Sequence, residues 1–389
     1  MKDASIRRAC LGLCAWGALL AGSACSSSPA QGTTATGAPG GMTASGGSGG
    51  DLGGAAGGGT TAGGATGSGG ATAPGGRGGA SSTTDAASDT SPVPALNPVG
   101  THGQLTVVGT SLQDKSGNPV QLKGVSSQWL NYESKTFPES KSAISWARDN
   151  WKLSVIRAAM GVDANGGYLG TTSANANPTG MLKKVETIIQ NAIDLGIYVI
   201  VDWHTSNAVT ATGTTTQAQQ ASDFFTMIAQ KYGDVPNVIY EDFNEPTKAT
   251  WAQIKPYHQA VVAAIRAVDP DNIIVLGTPT WSQDVDLAAQ DPLDGTNLMY
   301  TLHFYSCTHQ QALRDKGTKA IGLGLPLFIT EFGATPADGG VVKSGDPYVC
   351  EDDANKWFAW MAQNDVSGVS WKLDTCTDTS CTLHPQMEE

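Results

Sequence analysis

The sequence predicts one (β/α)8 barrel over residues 99–389, and three observations carry that expectation. Apolar, largely β-branched runs recur at roughly thirty- to forty-residue spacing, as stacked βαβ units do. Amphipathic helical stretches lie between them. Two of the runs close on a glutamate, Glu245 in VIYEDFNEP and Glu331 in LPLFITEFG. A carboxylate at the C-terminal end of a barrel strand lies on the face where this fold keeps its chemistry.

Taken in order, the domain opens with an expected hairpin, Gln104–Val108 and Val120–Val125, around the turn signal Asp114-Lys115-Ser116-Gly117-Asn118. Barrel strands are expected near 121–127, 153–160, 197–204, 238–245, 272–278, 298–305, 325–332 and 368–373. Leu182, Val185, Ile189 and Ala192 share one helical face, as do Tyr257, Val261, Ala264, Ile265 and Val268. Further helices are expected near 141–150, 215–232, 309–322 and 351–364. The closing stretch LHPQMEE has no apolar periodicity, so the final helix of the barrel is expected to be missing or truncated.

The first 98 residues are of another kind. Lys2, Arg7 and Arg8 precede a short apolar stretch, Ala9–Gly22, which reads as an export signal over residues 1–24. Residues 25–98 form a tether rich in Gly, Ser, Thr and Ala, without Phe, Tyr or Trp between Ser26 and Pro98. Such a segment buries too little apolar surface to offset its ordering entropy. Removing the leader leaves five cysteines, and a lipid on Cys25 would account for the odd one, attaching an exported bacterial protein to a membrane; ordinary secretion with a free thiol is the alternative. Of the other four, the order of the strands favours the pairings Cys307–Cys350 and Cys376–Cys381. The net charge of −12 argues against nucleic acid as a partner, since that rewards basic patches.

Besides the two glutamates, the expected strand ends collect Arg157, Asp202, His204, Asn244, His303, Tyr305 and Trp371. Two carboxyl groups across one cleft, one protonated and one ionised, are the minimal apparatus for cleaving a glycosidic bond. Aromatic rings can stack on the apolar faces of sugars. Taken singly, each residue has a plainer reading. Trp203 suits the core, Asp202 suits holding a neighbour, and Glu241 suits a structural pair lower in the barrel. Asp242 has the parity of the helix layer, where a charge is unusual. The weight lies in the whole set sharing one rim.

The segments VIRAAM, IYVIVDWH, NVIYEDFNEP, NIIVLGTPTWSQDV, MYTLHFYSCTH, LFITEFG and VSWKLD resemble the retaining endoglucanases of glycoside hydrolase family 5. The resemblance implies that Glu245 is the acid/base and Glu331 the nucleophile. It places Asn244 on the sugar's 2-hydroxyl, Arg157 beside Glu331, and His204 on the reacting sugar. His303 and Tyr305 would orient Glu245 and Glu331, and Trp371 would form a stacking floor followed by a non-proline cis peptide. Trp281, in the Trp-Ser-Gln-Asp-Val run, joins the expected substrate contacts. Gln128 stands where relatives carry a substrate-contacting histidine, Tyr132 where they carry a tryptophan, and Tyr168 is expected to replace a tyrosine absent at Gly161.

The implied function is an endo-β-1,4-glucanase acting on β-glucan as a monomer, with no metal and no cofactor. Other barrel glycanases (mannanase, xylanase, chitosanase) and a non-catalytic polysaccharide-binding surface protein are the alternatives.

Overall fold

The computed structural model describes residues 95–133, 136–337, 349–375 and 380–383. The expected leader, the tether with Cys25, and Cys376 lie outside the described residues. Eight parallel strands close into a barrel: β3 (Lys123–Ser127), β4 (Val155–Gly161), β5 (Tyr198–His204), β6 (Val238–Glu241), β7 (Ile274–Leu276), β8 (Leu298–Thr301), β10 (Leu327–Gly333) and β11 (Ser367–Leu373), with β11 pairing back to β3. A short extension, β9 (Phe304–Tyr305), continues beyond β8 along β10.

Period-two alternation sorts each strand's side chains between two layers. In β5, Val199, Val201 and Trp203 join the large cluster beneath the helices, while Tyr198 and Ile200 fill the barrel interior. The helices between strands carry legible boundaries. Pro178–Leu195 begins with Asn177 accepting from the Gly180 N–H and ends on Gly196 at φ 67°. Trp251–Arg266 opens with a capping box between Thr250 and Gln253.

Two local expectations are corrected. The hairpin pairs β1 (Thr106–Val108) with β2 (Ser111–Gln113), not with Val120–Val125, because Gly109, at φ +61°, turns the chain first. The Asp114–Asn118 turn then returns the chain to Gln113 through a single bridge at Pro119. Leu105, Leu112 and Val120 thereby plug the barrel interior beside Tyr198, Ile239 and Phe328. The β6 ladder stops at Glu241, four residues short of the expected end. Between β7 and β8 stand two short helices, Pro279–Ser282 and Val285–Ala288.

None of the described residues after Leu373 is helical, and among the described residues no helix is long and apolar enough to cross a membrane.

Candidate active site

Arg157 organises the barrel mouth. Its side chain is fully buried and faces three carboxylates, Glu241 at 2.7 Å, Asp202 at 2.9 Å and Glu331 at 3.0 Å, while Nη2 also donates to Asn244 Oδ1 at 2.6 Å. One guanidinium among three acids leaves an excess of buried negative charge. Burial outweighs the Arg157 attraction and pushes Asp202 up to about 8 and Glu241 up to about 7.

Glu331 enters this site through a break in strand periodicity. Phe328 fills the interior, and Thr330, two residues on, faces inward to bond Glu241 Oε1 at 2.6 Å. Strict alternation would send Glu331 to the helix layer. The β10 register instead shifts between Ile329 and Phe332, so Glu331 also turns into the cleft. There Arg157 holds one oxygen, and the Tyr305 hydroxyl donates to the other at 2.5 Å. Donors on both oxygens suit a carboxylate anion, which only accepts.

Glu245 has a different setting. Burial raises its pKa, and among the described residues its carboxyl hydrogen-bonds His303 Nδ1, 2.9 Å from Oε1. The other ring nitrogen of His303 lies 2.9 Å from Thr330 Oγ1. Thr330 already donates its hydroxyl proton to Glu241, so its oxygen accepts from His303 Nε2–H. Burial holds His303 down to about 4, and the neutral ring then turns the Nδ1 lone pair towards Glu245. A protonated Glu245 satisfies that lone pair; an ionised one opposes it. A carboxylate oxygen of Glu245 and one of Glu331 lie within 4.8 Å of each other.

Further out, His204 Nδ1 meets Asp202 Oδ2 at 2.6 Å, and burial lowers His204 to about 3. The Trp371 ring lies nearly parallel to that imidazole at 5.5 Å, and Trp371–Lys372 is a cis peptide. Trp129 meets His204 edge-on at 4.5 Å and stacks with the half-exposed Tyr132 at 5.9 Å. Gln128, next in chain, keeps a buried Oε1 without a partner among the described residues. Trp281 stands half-exposed on the loop after β7.

The rim is tied by a disulfide between Cys307 and Cys350. Cys381 is also disulfide-bonded, and the Cys376 expected to pair with it lies outside the described residues.

Some residues stand elsewhere than expected. Tyr168 packs against Trp203 and Phe224 in the helix layer, at 5.4 and 5.3 Å, so it cannot replace a rim tyrosine. Asp242 is explained by His258, buried on the neighbouring helix, whose Nδ1 lies 2.8 Å from Asp242 Oδ2. Sequence reading missed His258, Thr330 and Trp129. Trp129, next to Gln128 in a run already placed at a strand end, was the one with a signal.

The family model described as Cellulase (glycosyl hydrolase family 5) matches residues 113–376. The chain belongs to glycosyl hydrolase family 5. Within the family it is 44% identical to an endoglucanase of Clostridium saccharobutylicum over 290 residues, covering 72% of this chain and 59% of that one. It is 38% identical to Endoglucanase Z of Dickeya dadantii, covering 75% and 63%. The chain thus spans about three-fifths of the length of these curated relatives. Among solved structures, the catalytic domain of a Thermobifida fusca endoglucanase superposes with a TM-score of 0.65 at 30% identity, covering 74% of this chain and 90% of that one. That domain has also been solved with cellotetraose.

Proposed function

We propose that this family 5 barrel is a retaining endo-β-1,4-glucanase, with Glu331 as nucleophile and Glu245 as acid/base. The observation that carries the reading is the pair's geometry: carboxylate oxygens within 4.8 Å, set in opposite environments. Retaining enzymes hold the two groups about 5–5.5 Å apart, whereas inverting ones need about 6.5–9.5 Å to admit a water.

Glu331 attacks the anomeric carbon as the bond to the leaving oxygen breaks, and Glu245 gives that oxygen its proton. The covalent glycosyl-enzyme divides one hard step into two easier ones. Glu245, now ionised opposite the His303 lone pair, takes a proton from water, and the resulting hydroxide equivalent releases the sugar from Glu331. Asn244, fixed by Arg157, is placed for the sugar's 2-hydroxyl. His204 and Trp371 contact the reacting ring, and Gln128, Trp129, Tyr132 and Trp281 extend the cleft to either side. Endoglucanases among the relatives, one of them solved with cellotetraose, support a β-1,4-glucan substrate.

Residues 1–24 serve as an export leader and 25–98 as a tether to a lipid on Cys25, readings supported by their composition alone. The barrel acts as a monomer.

Reducing-sugar release on soluble β-1,4-glucan, mannan, xylan and chitosan tests substrate and activity together. Fastest release from the β-glucan, with a β-configured product by NMR, is expected. An inverted product would overturn retention, and no release from any polymer would overturn the enzyme.

A further inference from the structure

The chain around Glu245 is beyond the reach of the β6–β7 ladder. Pairing of β6 with β7 ends at Glu241 and Val275, and only the Asp242 N–H still reaches a β7 carbonyl, that of Val275 at 3.1 Å. On the β5 side the Asn244 N–H still reaches Trp203 O at 3.4 Å and the Glu245 N–H reaches Thr205 O at 3.2 Å, while on the β7 side residues 243–246 are held by the following loop. Gly277 lies so close that a Cβ there would fall 2.1 Å from the Phe243 carbonyl oxygen. The Trp281 N–H donates to Pro246 O at 3.1 Å, and Ser282 Oγ donates to Asn244 O at 2.7 Å.

Ser282 also reaches the other side of Glu245. Its carbonyl accepts from the His303 N–H at 2.8 Å, and the His303 ring holds the Glu245 carboxyl. A closed circuit results: Glu245 to His303 through side chains, His303 to Ser282 through backbone, and Ser282 to Asn244, the residue before Glu245. Ser282 is fully buried, and among the described residues its hydrogen bonds go to Asn244, Thr278 and His303.

The backbone that makes this circuit is unusual. Thr280, Trp281 and Ser282 all adopt positive φ, at 58°, 55° and 54°. Three consecutive non-glycine residues in the left-handed region, one of them β-branched, are disfavoured locally and persist only where surroundings over-determine them. From this turn Ser282 presents its hydroxyl to Asn244 and its carbonyl to His303 at once.

We propose that Ser282 is a positioning residue for the proton donor, holding Glu245 and His303 in register through this strained turn. The inference rests on Glu245 being the acid/base.

The test compares Ser282→Ala and Ser282→Gly on aryl β-cellobiosides whose phenols span a range of acidity. Both variants remove the hydroxyl, and glycine also relieves the left-handed strain. The expected result is a loss of kcat/KM, which reports the glycosylation step, of at least about tenfold on poor leaving groups, part of the roughly 10²–10⁴ that acid–base assistance supplies. In kcat/KM the most acidic phenol should change by about twofold or less, and the Ser282→Gly melting temperature should be kept. A uniform loss across all phenols, no loss, or failure of both variants to fold would overturn the proposal, because Ser282 would then be structural or idle. Glu245→Ala measured on the same series separates the two readings. If it shows no dependence on the leaving group, the acid/base assignment has failed rather than the role of Ser282.

Discussion

His303 Nδ1 lies 2.9 Å from Glu245 Oε1, and the opposite nitrogen of that ring is committed to Thr330. The chain Glu241, Thr330, His303, Glu245 therefore runs from a carboxylate paired with Arg157 to a carboxyl that is favoured in its protonated form. Two glutamates four residues apart on one segment occupy the two ends of this chain, and it is their surroundings that separate their roles.

His303→Ala should lower kcat/KM on unactivated β-glucans by roughly 10–100-fold, a share of what general acid–base catalysis contributes. A substrate with an acidic phenol should lose least. Steady-state kinetics on both substrates checks this, and equal losses would show that His303 does not act through Glu245.

The buried pair behind the site should matter to stability. His258 Nε2 lies 3.0 Å from the Gly277 carbonyl, which can only accept, while Nδ1 faces Asp242. His258→Ala strands the Asp242 charge and should cost about 3–5 kcal/mol. Combining Asp242→Asn with His258→Leu leaves no buried charge and should cost less than His258→Ala alone. Denaturant titration of the three proteins decides it; a double variant weaker than the single one would contradict the ion-pair reading.

Stability should fall as pH rises from about 6.5 to 8.5. Burial pushes Glu133 and Asp202 up to about 8 and Glu241 up to about 7, against about 4 in an unfolded chain. The folded state thus holds more protons than the unfolded one across that window. Stability from a raised carboxyl pKa is complete below the unfolded value and is lost as pH climbs through the folded one. His204 and His303, held down to about 3 and about 4, act in the opposite sense only below about 6.5, where the unfolded rings take up protons. Denaturation midpoints should therefore drop between the two pH values, and drop less in Asp202→Asn. A flat or rising midpoint would refute the shifts.

The barrel was legible because its strands are short apolar, largely β-branched runs and the helices between them repeat apolar residues at 3.6, patterns that need no knowledge of the neighbours. The rim was legible for the same reason: Arg157, Asp202 and His204 obey strand parity. Illegible parts are those where parity breaks. Thr330 and Glu331 both face the cleft because β10 shifts register, and no local residue pattern announces that shift. Ser282 depends on a left-handed turn that its own residue types disfavour. His258 meets Asp242 only through packing of a helix on a strand sixteen residues away. Tyr168 was misplaced for want of the same long-range information, since Trp203 and Phe224 claim its ring.

The two glutamates should respond differently to truncation and rescue. On the proposed roles, Glu331→Ala removes the nucleophile, so no glycosyl-enzyme can form and turnover should vanish on every glucoside. Glu245→Ala removes proton assistance, roughly 10²–10⁴ in rate, and glucans should lose most activity. An aryl cellobioside with an acidic phenol barely needs that proton, so its first step should survive and the intermediate should accumulate. Azide then attacks the intermediate from the face opposite Glu331 and gives a β-glycosyl azide in Glu245→Ala. In Glu331→Ala, azide fills the space of the lost carboxylate, displaces the aglycone directly and gives the α-azide. NMR of the isolated azides reads the configuration. The reverse pair of anomers would exchange the roles of Glu245 and Glu331, and near-normal activity in both variants would place the chemistry elsewhere in the molecule.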